Sequence, residues 1–368
     1  MNVFVCIPCL MLGGSEVATL QMVQALRADG VRVRVVVYYE SDSAMIARYR
    51  ACGAELIFLN ERRGGAAGIL RLLRRLTKLF RKDQPAVVHV QYFAPGMIPI
   101  FAARLAGIRT VFATVHAAGG KGYGWKAKTM FRISAALTSH FFCVAENTER
   151  FWFGHVGGKR HSTLHNGVDI ERFAQAVPVK IPQLDCTADL VIGIVGRVVR
   201  LKGHDCLFRA VKRLLPKFPH LKVLIVGDGS YRSELEELSR ELKINHHIIW
   251  CGRIEPEALP SYYKNMTVLA MPSHWEGFGL TAAEAMAAGI PVAASDVPGL
   301  REVVGDAGLL SPVNDDVILA QNLKQLLEAP ATYAEAGRIR VANLFSAQKI
   351  MRQWVTFYRL QLVRKQRK

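Results

Sequence analysis

The chain has 368 residues, 51% of them apolar, which suits two ordinary domains with substantial cores and argues against disorder. Its net charge of +18 is uneven: residues 1–183 hold 24 Lys/Arg against 11 Asp/Glu, residues 184–348 hold 17 against 19, and residues 349–368 hold 7 against none. Seven scattered cysteines exclude a disulfide framework, no signal-peptide pattern opens the chain, and the longest uncharged stretch, 84–103, is broken by Pro85, Pro95 and Pro99, so a spanning helix is not expected.

The first expected strand, 3–8, runs into Cys6 and Cys9. A redox CxxC opens a helix and a zinc site needs further ligands; neither pattern follows, so packing is the expected role. Next come Gly13 and Gly14 before a helix over 16–28. Glycines at a helix start let backbone N–H groups approach an anion; the plainer alternative is a tight turn with Ser15 as N-cap. The spacing is not GxGxxG, which counts against a dinucleotide-binding oxidoreductase.

Strands are expected at 31–38 and 55–59, followed by "ILRLLRRLTKLFRK" at 69–82. Leucines and Phe80 recur there at helical spacing among Arg71, Arg74, Arg75, Lys78, Arg81 and Lys82, with no acid. This suits a helix on an anionic membrane surface; a solvated face on an ordinary amphipathic helix is the alternative. No nucleic-acid-binding signature accompanies the charge, so nucleic acid is not an expected partner. Strands at 87–91, 110–116 and 140–144 complete the first series. A lone histidine at a strand end, as His116 is, is more often structural than functional. The Gly-rich stretch 117–128, with Lys121, Lys126 and Lys128, reads as a loop that orders on an anionic acceptor, or as a plain surface loop.

Residues 174–189 contain prolines and no period, and read as a linker. A second series of strands follows at 190–195, 222–226, 247–250, 268–271 and 291–294. The alternation indicates two doubly wound α/β halves with parallel sheets, 1–173 and 190–348. Ligands of such sheets bind at the carboxyl ends of the strands. There, "GRVVRLKG" offers Arg197 and Lys202, two cations suited to a diphosphate and its developing charge. "VGDGS" at 226–230 is a turn suited to close backbone approach. "EGFGLTAAE" places Glu276 and Glu284 on either side of a glycine turn. Thr281 and Glu284 fit a capping box, which explains Glu284 but neither Glu276 nor the glycines. A helix N-terminus behind a glycine turn suits a phosphate, and the carboxylates suit gripping hydroxyls better than shuttling protons.

Together with the Gly13-Gly14 loop, "TVHA" (114–117) and "HNGVD" (165–169), these motifs resemble, in order and over nearly the whole chain, the retaining glycosyltransferases of family 4. The resemblance implies the GT-B fold, two Rossmann-like domains facing across a cleft, with a last helix, about 349–368, returning to the first. It implies that Glu284 holds the ribose of a nucleotide-sugar and that Glu276 meets the donor sugar near its anomeric carbon. The backbone of Phe278, Gly279, Leu280 and Thr281 would line sugar and phosphates, Arg197 and Lys202 would bind the diphosphate, Gly13 and Gly14 would approach it, and His116 would touch the sugar. Glu146 is left without a role, because Ala145 stands where the family often has Ser.

The implied activity is metal-independent transfer of a hexosyl or N-acetylhexosaminyl group with retention. The donor would be a nucleotide-sugar, UDP-linked ahead of GDP-linked, with no further cofactor. The acceptor would be a glycan or a lipid-linked molecule in cell-envelope polysaccharide biosynthesis, lipopolysaccharide included. The expected location is cytoplasmic, peripheral on the inner face of the membrane. The alternative is a non-catalytic GT-B-like protein that binds membranes; the presence of Glu276, Arg197 and Lys202 weighs against it.

Overall fold

The computed structural model describes residues 2–11, 13–92, 97–116, 124–185 and 190–366. The chain forms two compact units, Met1–Gly167 with Ala347–Lys368, and Val168–Ser346.

In the first unit, strands and helices alternate: β1 (Asn2–Ile7), α1 (Gly14–Ala28), β2 (Arg32–Val37), α2 (Ser43–Ala51), β3 (Glu55–Phe58), α3 (Gly65–Asp83), β4 (Val87–Tyr92), α4 (Met97–Leu105), β5 (Val111–Val115), α5 (Trp125–Leu137), β6 (His140–Cys143), α6 (Glu146–Phe153) and β7 (His161–Thr163). The sheet order is β3-β2-β1-β4-β5-β6-β7, with parallel pairing. Parallel strands joined by helical crossovers are covered on both faces, which is why β1 and β5 are runs of apolar residues instead of alternating ones. On one face Leu72, Leu76 and Phe80 of α3, Ile100 and Ala103 of α4 and Phe131 of α5 pack against Phe4, Val88 and Phe141. The other face receives Leu20, Val23 and Leu26 of α1, and Met45 and Tyr49 of α2.

The second unit contains α7 (Ile170–Ala174), β8 (Val191–Val195), α8 (His204–Leu214), β9 (Lys222–Val226), α9 (Arg232–Glu241), β10 (Ile248–Gly252), α10 (Leu259–Tyr263), β11 (Val268–Met271), α11 (Leu280–Ala288), β12 (Val292–Ser295), α12 (Pro298–Val304), β13 (Leu309–Ser311), α13 (Asp316–Glu328) and α14 (Pro330–Leu344). Its sheet is β10-β9-β8-β11-β12-β13, again parallel.

The last helix, α15 (Ala347–Gln366), packs on the first unit. Ile350, Trp354 and Tyr358 are buried with Val3, Val5 and Phe142. Its anchor is polar: His89, buried in β4, meets the Tyr358 hydroxyl at 2.6 Å through Nδ1 and the Thr114 hydroxyl at 2.7 Å through Nε2. Burial pulls the His89 pKa down to about 3, so the ring is neutral and bonds once through each nitrogen.

Every strand expected from the sequence is present within a residue or two. β7 and β13, three residues each at sheet edges, were not expected. The chain passes between the units at Gly167–Val168 and Ser346–Ala347, so 168–185, which includes most of the expected linker, belongs to the second unit. Residues 186–189 of the expected linker lie outside the described residues. Just ahead of that stretch, α7 packs on α11. The two crossings run side by side, with Val168 N donating to Phe345 O at 2.7 Å. Cys6 is buried in β1, and desolvation pushes its thiol up to about 12; Cys9, only partly buried, donates to Glu40 Oε2 at 3.0 Å. Among the described residues, no helix is long and apolar enough to cross a membrane.

Candidate functional site

In the second unit the chain winds outward from β8 in both directions, to β9 and β11. The crevice outside the carboxyl ends of β8 and β11 is therefore where an open α/β sheet binds ligands. Three loops meet there. Gly196 N donates to Val226 O at 2.9 Å, Val198 N to Asp228 O at 3.0 Å, and His274 N to Leu201 O at 2.8 Å. Two glycines make this closeness possible. Gly203 has φ +67°, and a Cβ there would stand 2.0 Å from Pro272 O; Gly227 has φ +139°, and its Cβ would stand 1.9 Å from Gly196 O. The glycines of "LKG" and "VGDGS" are thus required where backbone passes backbone.

A 3-10 turn, Arg200–Lys202, ends with the Lys202 side chain ion-paired to Glu276 Oε1. The Ser273 hydroxyl donates to the same oxygen at 3.1 Å. Both partners are mostly withdrawn from water, with side chains 20% and 14% exposed. Arg197 is exposed, and its side chain has no hydrogen bond or ion pair among the described residues.

Glu284 lies in α11 and, contrary to the sequence expectation, takes no part in a capping box. The N-cap is Gly279, at φ +105°, and no side chain caps the helix. The glycine turn starts the helix at Leu280, so Thr281 is already helical and Glu284 sits in the second turn, out of reach of a reciprocal cap. Glu284 instead accepts a hydrogen bond at 2.9 Å from Tyr263, whose side chain is fully buried. Part of the Glu284 surface stays accessible, yet protein surrounds it closely enough that desolvation pushes its carboxyl up to about 7, with the Tyr263 hydrogen bond and the Arg172 charge acting in the opposite direction. Tyr263 packs edge-on against Phe173 of α7, at 5.6 Å between ring centres. Asp169 starts α7 by accepting from Arg172 N at 3.2 Å. The final residues of "HNGVD" therefore support the Glu284 side chain through two aromatic rings. Phe278 is buried and turns its ring onto Phe345 at 5.3 Å.

In the first unit, Gly13 is the N-cap of α1 in extended backbone, without a side-chain cap. Ser15 is not that cap; it lies inside the helix, and its hydroxyl donates to Glu16 Oε2 at 2.7 Å. His116 follows β5 and meets Gln91 Oε1 at 2.7 Å through Nε2. Burial draws its pKa down to about 4, so it is a neutral ring whose Nε2 proton serves Gln91. It opens on a small cavity also lined by Thr19, Gln91, Thr114, His165 and Asn166. Lys126 and Lys128 do not lie on a loop: α5 begins at Trp125, behind Gly124, and takes both into its first turn. Lys121 lies outside the described residues. Glu146 opens α6 and pairs with Arg150 at 3.3 Å.

The second unit thus gathers Lys202, Glu276, Gly279 and Glu284 around one strand-end crevice. The first unit sets Gly13, Gly14 and His116 at the carboxyl side of its own sheet. Sequence reasoning missed Ser273, Tyr263 and Asp169 as supports. Asp169 stood in "HNGVD" without a role assigned to it; nothing in the spacing linked Tyr263 to Glu284. Among the described residues, no group of three or more His, Cys, Asp or Glu is placed to hold a metal ion.

Two family models match the chain: Glycosyltransferase Family 4 over residues 12–172, and Glycosyl transferases group 1 over residues 183–339. The chain is 27% identical to EpsF of Bacillus subtilis (strain 168), a protein named as a glycosyltransferase, over 89% of this chain and 86% of that one. It is 25% identical to the capsular polysaccharide biosynthesis glycosyltransferase CapM of Staphylococcus aureus, over 78% and 80% of the two chains. Among solved structures it is similar in fold to HepE of Anabaena, crystallised with UDP and glucose: the TM-score is 0.82 at 18% identity, over 97% of this chain and 99% of that one.

Proposed function

The chain belongs to the family 4 glycosyltransferases of GT-B fold, and from that membership we propose that it transfers a hexosyl or N-acetylhexosaminyl group, with retention, from a nucleotide-sugar to a glycan or lipid-linked acceptor of the cell envelope. The observation that carries the reading is the Lys202–Glu276 pair beside the uncapped start of α11, at the carboxyl ends of β8 and β11. A half-buried cation, an exposed arginine and free helical N–H groups suit a diphosphate; adjacent carboxylates suit hydroxyls.

In this reading the bond that breaks joins the anomeric carbon to the diphosphate oxygen. Arg197, Lys202 and the α11 N-terminus stabilise the charge gathering on the leaving diphosphate, in the role a metal ion plays elsewhere. Glu276 holds sugar hydroxyls, Glu284 the ribose hydroxyls, and the neutral His116 touches the sugar. Gly13 and Gly14 let the start of α1 approach the phosphates. The departing phosphate oxygen takes the acceptor's proton, so no enzyme carboxylate becomes a covalent nucleophile. A UDP-sugar is the favoured donor, supported by UDP in the HepE crystals. CapM supports a polysaccharide product, and the basic 69–82 segment supports work on the inner face of an anionic membrane.

The test is a thermal-shift and donor-hydrolysis screen. UDP should raise the melting temperature and NAD should not, and one UDP-sugar should be hydrolysed slowly without acceptor. Glu276→Ala should abolish that turnover. Full activity in this variant, or no response to any nucleoside diphosphate, would refute the assignment and favour a non-catalytic binding protein.

A further inference from the structure

The cavity beside His116 has a polar floor of repeated construction. His89 and Gln91 stand two residues apart on β4 and so share one face of the sheet; Thr114 and His116 stand two apart at the end of β5. The two strands pair in parallel, with Gln91 opposite Thr114. Each β4 side chain meets the side chain 25 positions later: His89 Nε2 and the Thr114 hydroxyl at 2.7 Å, Gln91 Oε1 and His116 Nε2 at 2.7 Å. The first rung is anchored by Tyr358 of α15. The second lies at the strand's end. His116 follows Val115, the last paired residue of β5, so strand pairing does not reach it, and the Gln91 amide, 2% exposed, takes hold of its ring.

An amide oxygen only accepts. The bond therefore requires the ring proton at Nε2 and leaves Nδ1 with a lone pair. Among the described residues, no Asp, Glu, Lys or Arg lines the cavity; its titratable groups are His116 and His165, with His89 and Tyr358 behind Thr114. Burial keeps the His116 ring neutral, with a pKa of about 4. A neutral imidazole in water exchanges between two tautomers, and at a given nitrogen one donates where the other accepts. Gln91 removes that choice.

We propose that Gln91 is a positioning residue for sugar recognition: it fixes His116 in the tautomer with an acceptor at Nδ1, so that the ring receives a hydrogen bond from a hydroxyl of the donor sugar and gives none. The proposal rests on the glycosyltransferase reading, in which His116 touches the sugar, and deepens it by naming the form of the ring that does so.

Two measurements on the full chain test it. The first is nitrogen NMR of ring-labelled histidine, with His116 identified by its loss in His116→Gln. The Nε2–H form should persist from about pH 8 to about pH 5, and Gln91→Leu should show a mixture of both forms. An Nδ1–H ring in the unaltered chain, or an unchanged tautomer in Gln91→Leu, would overturn the proposal, and this readout needs no activity. The second is donor hydrolysis beside calorimetric UDP binding. Gln91→Leu should lower kcat/KM by about tenfold, through the sugar, while the Kd of UDP stays as it was. Gln91→Glu keeps an oxygen for Nε2–H, but its carboxylate favours the doubly protonated ring, which has no lone pair. Its kcat/KM relative to the unaltered chain should be about one near pH 8 and fall as pH drops, a ratio in which any Glu284 dependence cancels. A ratio constant with pH, a fully active Gln91→Leu, or a UDP Kd that rises along with KM would each overturn the positioning role and leave the glycosyltransferase reading standing. The expected tautomers with hydrolysis of no donor by the unaltered chain would count against that reading alone.

Discussion

Lys202 and Glu276 are ion-paired across two loops of the second unit, with the Ser273 hydroxyl on the same carboxylate oxygen. The side chain proposed to hold diphosphate and the one proposed to hold sugar therefore occupy each other before the donor arrives. Donor binding must exchange this pair for charge-assisted contacts to the ligand, and the carboxylate competes with the diphosphate for one ammonium.

The competition gives opposite signs for two variants. Lys202→Met removes the ammonium and should weaken nucleoside diphosphate binding by about tenfold or more. Glu276→Gln removes the competitor, so nucleoside diphosphate binding should tighten by roughly fivefold while kcat falls about a hundredfold or more. Calorimetric Kd values and steady-state rates on the two variants decide the matter. Weaker nucleotide binding in Glu276→Gln would show that the pair is a scaffold and not a competing contact.

Glu284 predicts a pH dependence. Its carboxyl is raised to about 7, chiefly by desolvation. The ribose hydroxyls proposed to meet it would bind best to the ionised form, which declines as pH falls through 7. Donor Kd should therefore rise about tenfold between roughly pH 8 and pH 6, in proportion to the lost ionised fraction. The Tyr263 hydrogen bond favours the ionised form. Tyr263→Phe should move the profile to higher pH, raising donor KM near neutrality with kcat little changed. A purely structural Tyr263 would lower the melting temperature and leave the profile where it was.

The two sheets were legible because β1, β5, β8 and β11 are apolar runs bounded by turn residues, a pattern that buried parallel strands produce. β7, read as His161-Ser162-Thr163, and β13 were not legible: three residues carry no period, and an edge strand takes its place from its neighbour. The division at Gly167–Val168 was hidden for a related reason, since proline and absent period mark irregular chain but do not reveal what it packs on. In the crevice, the residues proposed to touch a ligand stand out as charge and glycine beside strand ends. Tyr263 does not, because its partner Glu284 is far along the chain and their meeting depends on α10 lying against α11. The capping box failed because the motif is satisfied by sequence alone, while Gly279 had already set the helix start one residue before Thr281 could act.

Gly203 and Gly252 separate backbone strain from steric collision. Both have φ +67°, but a Cβ at Gly203 would meet Pro272 O at 2.0 Å, and at Gly252 nothing lies within 4 Å. Gly252→Ala should cost about 1 kcal/mol, the left-handed penalty alone. Gly203→Ala must also part the 196–203 loop from Pro272, so the cost should reach about 3 kcal/mol or more. Nucleotide affinity should fall with Gly203→Ala and not with Gly252→Ala. Chemical denaturation and nucleotide titration of both variants test this; equal costs would mean that the loops part freely.

His89 makes α15 sensitive to acid. Its folded pKa, about 3, lies below the ordinary histidine value of 6.5, as does that of His140 at about 4, both through burial. A base depressed in the folded state contributes its full stability above the unfolded pKa and loses it as pH falls, because the unfolded chain takes up a proton that the folded chain refuses. Each such group should cost about 1.4 kcal/mol per pH unit below roughly 6.5, continuing toward its folded value. Thermal unfolding between about pH 7.5 and pH 5.5 should thus show a falling melting temperature, and His89→Gln should make the fall shallower while lowering stability at neutral pH. Tyr358→Phe leaves His89 Nδ1 without its partner and should cost about 1–3 kcal/mol at neutral pH. Loosening of α15 should accompany it, visible as faster amide exchange around Trp354 with α11 unaffected. An unchanged pH slope in His89→Gln would mean that other groups carry the acid sensitivity.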